Sequence, residues 1–133
     1  MASLALWKDR TDFSHFLGWA TKSAPGLIHG SDGLIPSTGN FHPGLYSQLL
    51  QAVQNDQHDK AFQLQKLSDH LGDLYQAGRL LSESLWGLKV LMKQRGICDA
   101  HVMPPLQAGT AEEEREIAEA FKNSIEKEKI EFE

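Results

Sequence analysis

The character of the sequence changes at Pro43, and this change limits the folds that the chain can adopt. Four of the eleven glycines lie between positions 26 and 39, a stretch that predicts turns and one or two very short strands. Leu34-Ile35 is the better strand candidate. From Pro43 onward the apolar residues recur at helical spacing. So few strands cannot form a complete sheet, and the sequence therefore predicts a mostly helical protein with a short, poorly supported strand segment.

Four helices are predicted after position 42, because residues that begin or end helices flank each apolar stripe. Proline fits a first helical turn, glycine suits the residue after a last turn, and the Thr-x-x-Glu pattern is a capping box. These signals are Pro43, Asn55-Asp56, Gly78, Ser82 or Ser84, Gly96 and Thr110-Ala-Glu-Glu113.

Two further elements are predicted before the glycine-rich stretch. Leu4-Ala-Leu-Trp7 is a short apolar run that predicts a buried strand ending in a polar loop. Thr11 or Asp12 then caps a short helix, which Ser23-Ala-Pro-Gly26 ends. The apolar residues of this helix are Phe13, Phe16, Leu17 and Ala20.

The composition excludes several classes of function. The 133 residues make one domain, and a net charge of −5 provides no basic surface for nucleic acid or for an anionic membrane. A single cysteine, Cys98, excludes an internal disulfide and a multi-cysteine metal site. The six histidines include no pair at the i,i+4 spacing of a metal site on one helix. The apolar runs are too short to span a bilayer and the start lacks the features of a signal peptide, so we expect a cytoplasmic protein.

Two clusters are candidates for chemistry. Lys8 follows an apolar run, and a lysine held among buried neighbours is able to attack a carbonyl carbon. The alternative is a surface lysine just past a strand. Gly33-Leu-Ile-Pro-Ser-Thr-Gly-Asn40 runs from apolar residues into small hydroxyl residues, which let a ligand approach the backbone. The alternative there is a polar turn that caps the helix at Pro43, with Asn40 or His42 as the cap.

Together these clusters resemble motifs of the family of dihydrodipicolinate synthase and N-acetylneuraminate lyase, pyruvate-dependent class I aldolases built on a (β/α)8 barrel. Leu6-Trp7-Lys8-Asp9-Arg10-Thr11 is similar to the end of the family's sixth strand, although Arg10 stands where a small residue is usual. Gly30-Ser-Asp-Gly33 resembles the turn before the eighth strand, and Pro36-Ser-Thr-Gly-Asn40 resembles the end of that strand. The helix opened by Pro43 and the later helices extend the resemblance over nearly the whole chain.

The resemblance implies a fold class and a division of the chain. The fold class is α/β by family and mostly α in this chain: an incomplete C-terminal piece of a (β/α)8 TIM barrel, followed by a C-terminal helical bundle. Residues 1–42 would be a remnant of barrel strands six to eight with an internal deletion, because only 22 positions separate Lys8 from Gly30. The start of the seventh strand, at Pro25, would join the turn before the eighth directly. Residues 43–133 would hold the last barrel helix and the C-terminal helical region.

The resemblance also implies a chemistry. Lys8 would be the catalytic residue and would form a Schiff base with a pyruvate-like 2-oxo acid. Ser37 would lie close to the bound oxo acid, and Thr38 and Gly39 would shape the substrate-binding site. The reaction would need neither a cofactor nor a metal. The function implied is a carbon–carbon lyase or aldolase of 2-oxo acids.

Two parts of the family's site have no counterpart in the sequence: the second-strand loop for the substrate carboxylate and the fifth-strand tyrosine. Tyr46 and Tyr75 lie in predicted helices and are expected to be packing residues. Catalysis by this chain alone is therefore not expected, and without barrel walls the pKa of Lys8 should stay near the normal lysine value. The alternative is a non-catalytic helical remnant, or a module that associates with copies of itself or with a full-length relative.

Overall fold

Helices dominate the computed structural model, which describes residues 2–7 and 9–132. The chain divides into two compact units, Met1–Asp69 and His70–Glu133. Among the described residues the helices are α1 (Ala2–Trp7), α2 (Ser23–Ile28), α3 (Pro43–Gln54), α4 (His58–Gln76), α5 (Leu81–Gln94) and α6 (Ala111–Glu128). The strands are β1 (Phe16–Leu17) and β2 (Gly33–Leu34), and 3₁₀ turns cover Ala20–Lys22 and Ser37–Asn40.

The N-terminal unit is built on a small β-α-β arrangement. Strands β1 and β2 pair in parallel, with Phe16 opposite Gly33 and Leu17 opposite Leu34. Parallel neighbours need a crossover connection, and α2 provides it here. Gly30 adopts a φ of +96°, a conformation that glycine adopts readily, just after α2 and before the return to β2.

One buried side chain from α4 fixes the start of α2. Gln65 is only 6% exposed, and its Oε1 accepts the backbone N–H of Ala24 at 2.8 Å. Its Nε2 donates to the carbonyl of Ala20 at 2.9 Å and to Oδ1 of Asp69 at 2.8 Å. Because Lys22 provides no side-chain cap for α2, Gln65 satisfies a helix-start N–H that would otherwise lack a partner.

The core of the N-terminal unit joins α2 to α3 and to the first turns of α4. Small and aliphatic side chains meet there, and Leu34 of β2 packs against them. One face of the strand pair is therefore covered. The buried members are Ala24, Leu27, Leu49, Ala52 and Ala61.

The C-terminal unit is organised by the packing of α5 against α6. The Thr110 hydroxyl accepts the N–H of Glu113 at 3.2 Å, and the Glu113 carboxylate accepts the N–H of Thr110 at 2.6 Å. This pair of bonds is a complete capping box for α6. Lys93 of α5 forms an ion pair with Glu114 of α6 at 2.6 Å.

Aromatic residues fill the interior of this unit. Trp86 is 4% exposed, and a Cβ at Gly109 would collide with its ring, so the approach of the loop requires glycine. The segment after α6 folds back and packs against the C-terminal unit. Ile130 is buried, and the ring of Phe132 lies 6.0 Å from that of Phe121 and 3.8 Å from the Arg95 guanidinium.

The helix predictions after Pro43 are confirmed at nearly every boundary. Asp56 and Gly78 have positive φ values after α3 and α4, and Gly96 has one after α5. Helix α5, however, begins at Leu81 and not at Ser82 or Ser84.

The predictions before Pro43 are largely wrong. Residues 4–7 belong to helix α1 and not to a strand, because alanine and leucine also favour helices in so short a run. Phe16 and Leu17, predicted as helical, form β1. Residues 25–28, predicted as the start of a seventh strand, lie in α2. Leu34 is in β2 as predicted, whereas Ile35 lies just beyond it.

We expect Gln65→Ala to destabilise the N-terminal unit by about 1–3 kcal/mol, because it leaves the N–H of buried Ala24 without its side-chain partner. The carbonyl of Ala20 keeps the hydroxyl of Ser23 as a donor. Urea unfolding followed by circular dichroism measures the loss. Gln63→Ala is the matched control, since Gln63 lies on the same helix and is exposed. Equal effects of the two substitutions would contradict the role of Gln65.

A second prediction concerns the α6 capping box. The N–H and the hydroxyl of Thr110, with a smaller contribution from Arg79, hold the pKa of Glu113 below its ordinary value of 4.5. A lowered folded-state pKa stabilises the protein above pH 4.5, and this contribution is lost as the pH falls through the folded value. We expect the stability difference between wild type and Glu113→Gln to shrink below pH 4.5. Glu112→Gln controls for the change of charge, and an identical pH dependence in that variant would be the contrary result.

Candidate active site

The two ends of the strand pair have different characters, and the amino end is held by a polar cluster. The single proton of the Ser31 hydroxyl is shared between the carbonyls of His15 and Gly33, which lie 3.0 and 3.2 Å from Oγ. The Asp32 carboxylate accepts the N–H of His15 at 2.6 Å, and Nδ1 of His15 lies 3.1 Å from Oγ of Ser31. These bonds tie β1 to β2, so the Ser-Asp of the Gly30–Gly33 turn has a structural role.

The carboxyl end of the pair leads into the predicted substrate loop. After β2 the chain passes through Ile35 and Pro36 and enters the 3₁₀ turn Ser37–Asn40. The Nδ2 of Asn40 donates to the carbonyl of Ser37 at 2.9 Å and closes that turn. Active sites of parallel α/β folds lie at the carboxyl ends of strands, and this loop occupies such a position.

The three predicted substrate-binding residues differ in their exposure. Ser37 is half-buried, whereas Thr38 is fully buried, and its carbonyl accepts the N–H groups of Phe41 and His42. Gly39 faces an open groove. A Cβ at Gly39 would lie 3.3 Å from Cγ of Pro36 and 3.6 Å from Cδ2 of Tyr46, so the loop packs closely there.

A groove of about 430 Å³ lies between the loop and α3. One face of α3 lines it with Pro43, Tyr46, Ser47 and Leu50, at the spacing i, i+3, i+4 and i+7. None of the lining residues carries a charge. This groove is not predicted above, although the spacing along α3 is visible in the sequence. The remaining lining residues are Gly33, Leu34, Ile35, Pro36, Gly39 and Asn40.

Helix α3 begins without a side-chain cap. Its N-cap residue is His42, which makes no capping hydrogen bond through its side chain. Tyr46 is buried, and its hydroxyl lies 2.6 Å from the buried Ser68 hydroxyl of α4. Tyr46 and Tyr75 are both buried, which confirms that they are packing residues.

Lys8, the predicted Schiff-base residue, lies outside the described residues, and the structure resumes at Asp9. The Arg10 guanidinium donates two hydrogen bonds to the Asp12 carboxylate and lies 5.5 Å from the centre of the Trp7 ring. This contact lowers the pKa of Asp12 and raises that of Arg10. The Trp7 ring also lies 4.9 Å from that of Phe13.

Residues 2–7 and 9–132 contain neither a candidate metal site nor a candidate membrane-spanning helix. No cluster of three or more metal-ligating side chains occurs within these ranges. None of the helices there combines the length and apolarity required to cross a bilayer.

Comparison with known proteins identifies relatives over most of the chain. Residues 5–124 match the model of the Dihydrodipicolinate synthetase family. The chain is 27% identical over 119 residues to a 4-hydroxy-tetrahydrodipicolinate synthase of Karelsulcia muelleri (strain GWSS), covering 89% of this chain and 38% of that protein.

Solved structures resemble the chain to a similar extent. A dihydrodipicolinate synthase from Bacteroides thetaiotaomicron superposes with a TM-score of 0.81 and 28% identity, over 90% of this chain and 41% of the other. A variant of the Sulfolobus solfataricus 2-keto-3-deoxygluconate aldolase has a TM-score of 0.70 at 23% identity, over 84% and 37% of the two chains, and shows the shared fold. The chain therefore spans about two fifths of the length of these relatives.

We expect Tyr46→Phe to lower the free energy of unfolding by about 1–3 kcal/mol, because the buried Ser68 hydroxyl loses its partner. The double variant Tyr46→Phe/Ser68→Ala should recover part of this loss, since it removes both polar groups. Thermal unfolding of the wild type, both single variants and the double variant gives the coupling. Strictly additive losses would contradict the hydrogen bond as the support of this groove wall.

Proposed function

The chain belongs to the Dihydrodipicolinate synthetase family, and on this premise we propose that it carries part of the active site of a class I aldolase. Such an enzyme makes or breaks a carbon–carbon bond of a 2-oxo acid through a lysine Schiff base. The family match includes both Lys8 and the loop Ser37–Asn40. The position of that loop at the carboxyl end of a parallel strand pair is the observation that carries the proposal.

Lys8 is the proposed nucleophile. Its neutral amine attacks the keto carbon of a pyruvate-like acid, and loss of water leaves a protonated imine. When the bound acid carries a hydroxyl on C4, a water molecule takes the hydroxyl proton and the C3–C4 bond breaks to release an aldehyde. The electron pair of that bond moves to the protonated imine, which gives an enamine. Protonation of the enamine and hydrolysis of the resulting imine release the 2-oxo acid and restore the amine.

The loop after β2 is proposed to hold the 2-oxo acid. Among the three candidates, Ser37 combines a hydroxyl with partial exposure. Its side chain is therefore the one suited to donate a hydrogen bond to a carboxylate or keto oxygen. Thr38 is fully buried and acts through its backbone, which holds the start of α3 against the loop. Gly39 leaves the groove side of the loop open.

The β-α-β arrangement supports a specific placement in the barrel. We assign β1 to the position of the family's seventh strand and β2 to that of its eighth, with α2 as the helix between them. The residues absent relative to the family would then lie between Lys8 and β1, and not after Pro25. This placement revises the division of residues 1–42 that the sequence suggested.

A second candidate is a non-catalytic module that associates with another chain. The observation that favours it is a set of apolar side chains on the surface of the N-terminal unit. Exposed apolar surface is what a contact with another protein buries. Among these side chains are Phe13, Phe16, Trp19 and Ile35.

Incubation of the purified chain with pyruvate and sodium borohydride tests the lyase proposal, because borohydride reduces an imine to a stable secondary amine. We expect an adduct in the intact mass, located on Lys8 by peptide mapping and abolished by Lys8→Ala. Lys22→Ala is the matched control and should keep the adduct. No adduct on a folded sample, or an adduct that survives Lys8→Ala, would contradict the proposal and leave association as the better function.

A further inference from the structure

The outer edge of β2 carries hydrogen-bonding groups that β1 does not use. The N–H of Ile35 donates to the carbonyl of Leu17 at 2.9 Å, and Leu17 is the register partner of Leu34. In a parallel ladder, alternate residues of a strand direct both backbone groups to the same side. Leu34 follows Gly33 and precedes Ile35, so its own N–H and C=O point away from β1.

An apolar surface borders this edge. Gly33, Leu34 and Ile35 all line the groove against α3, which has no charged lining residue. Ile35 is 69% exposed, a high value for an isoleucine beside a strand. Unpaired strand edges with apolar neighbours are the surfaces on which proteins add a further strand.

We propose that a second copy of this chain pairs with the edge of β2 about a two-fold axis. The two β2 strands then run antiparallel, and Leu34 of one protomer exchanges two hydrogen bonds with Leu34 of the partner subunit. A residue that directs both backbone groups outward is what an antiparallel hydrogen-bonded pair requires. The Ile35 side chain beside each Leu34 faces the partner's groove.

Two features favour a second copy as the occupant. A two-fold contact uses the same patch on both subunits, so the patch must be self-complementary. This patch meets that requirement, because it presents a hydrogen-bond donor, an acceptor, a groove and an exposed isoleucine side by side. The chain has a net charge of −5, yet the lining of the groove is uncharged. Contact between two copies of this patch therefore places no like charges of the groove lining opposite each other.

A second copy of this chain is then the partner of the non-catalytic module, the second candidate function. The dimer rests on that proposed association and not on the chemistry of Lys8. Failure of the Schiff-base experiment leaves it standing, and absence of a dimer leaves the lyase proposal standing. The two outcomes are therefore distinguishable.

Sedimentation equilibrium over a range of concentrations tests the dimer, with Ile35→Lys as the variant. Lysine at a strand edge opposes pairing with another edge. We expect the wild type to pass from monomer to dimer, and Ile35→Lys to raise the dissociation constant at least about tenfold. Ile97→Lys is the matched control, since Ile97 is an isoleucine 50% exposed in the C-terminal unit. It should leave the constant unchanged.

Amide hydrogen exchange of the wild type provides a second measurement that needs no variant. We expect the protection of the Leu34 amide to rise with protein concentration, whereas amides of the C-terminal unit keep constant protection. A monomer at every concentration, equal effects of the two lysine variants, or growth beyond the dimer would each overturn the proposal. Constant protection of Leu34 during dimerisation would also overturn it.

Discussion

The N-terminal unit depends on the buried amide of Gln65. Helix α2 contains a proline and a glycine within six residues and has no side-chain cap of its own, so its local sequence favours it weakly. Gln65 bonds both the first turn of α2 and the carbonyl before it. Leu27 and Ala24 then complete the core on which Leu34 packs. A polar contact made 41 residues along the chain thus supports the core on which β2 packs, and the bonds between β1 and β2 fix the strand in register.

The parts of the fold that the sequence predicts are those governed by local chemistry. The Thr110–Glu113 capping box and the positive φ values of Gly78 and Gly96 act within one helical turn, so their residues alone reveal the boundaries of the helices. Strand β1 is different, because Phe16 pairs with a residue 17 positions away. A helical spacing of apolar residues around Phe16 arises without a helix. The return of Phe132 onto Arg95 and Phe121 escaped prediction for the same reason, since it is a contact between distant segments.

Part of the candidate site, the loop after β2, could be located from the sequence because its motif follows an apolar strand. Ser37–Gly39 were identified from the sequence that follows an apolar strand, and they do lie at the carboxyl end of β2. Their different burial was not visible, because the burial of Thr38 depends on how the chain folds around it. The groove along α3 was encoded in the spacing of Pro43, Tyr46 and Leu50. That spacing also describes an ordinary buried face, and only the structure shows which side of the helix stays open.

The two units carry their own spectroscopic labels. Trp86 lies in the interior of the C-terminal unit beneath Gly109, whereas Trp19 in the N-terminal unit is 63% exposed. The third tryptophan, Trp7, has an intermediate exposure beside Phe13 and Arg10. Indole fluorescence shifts to longer wavelength when the ring enters water, so the blue edge of the emission reports chiefly on the C-terminal unit. Loss of that edge, followed alongside backbone circular dichroism, distinguishes melting of the α5–α6 pair from unfolding of the strand-bearing unit without any added dye.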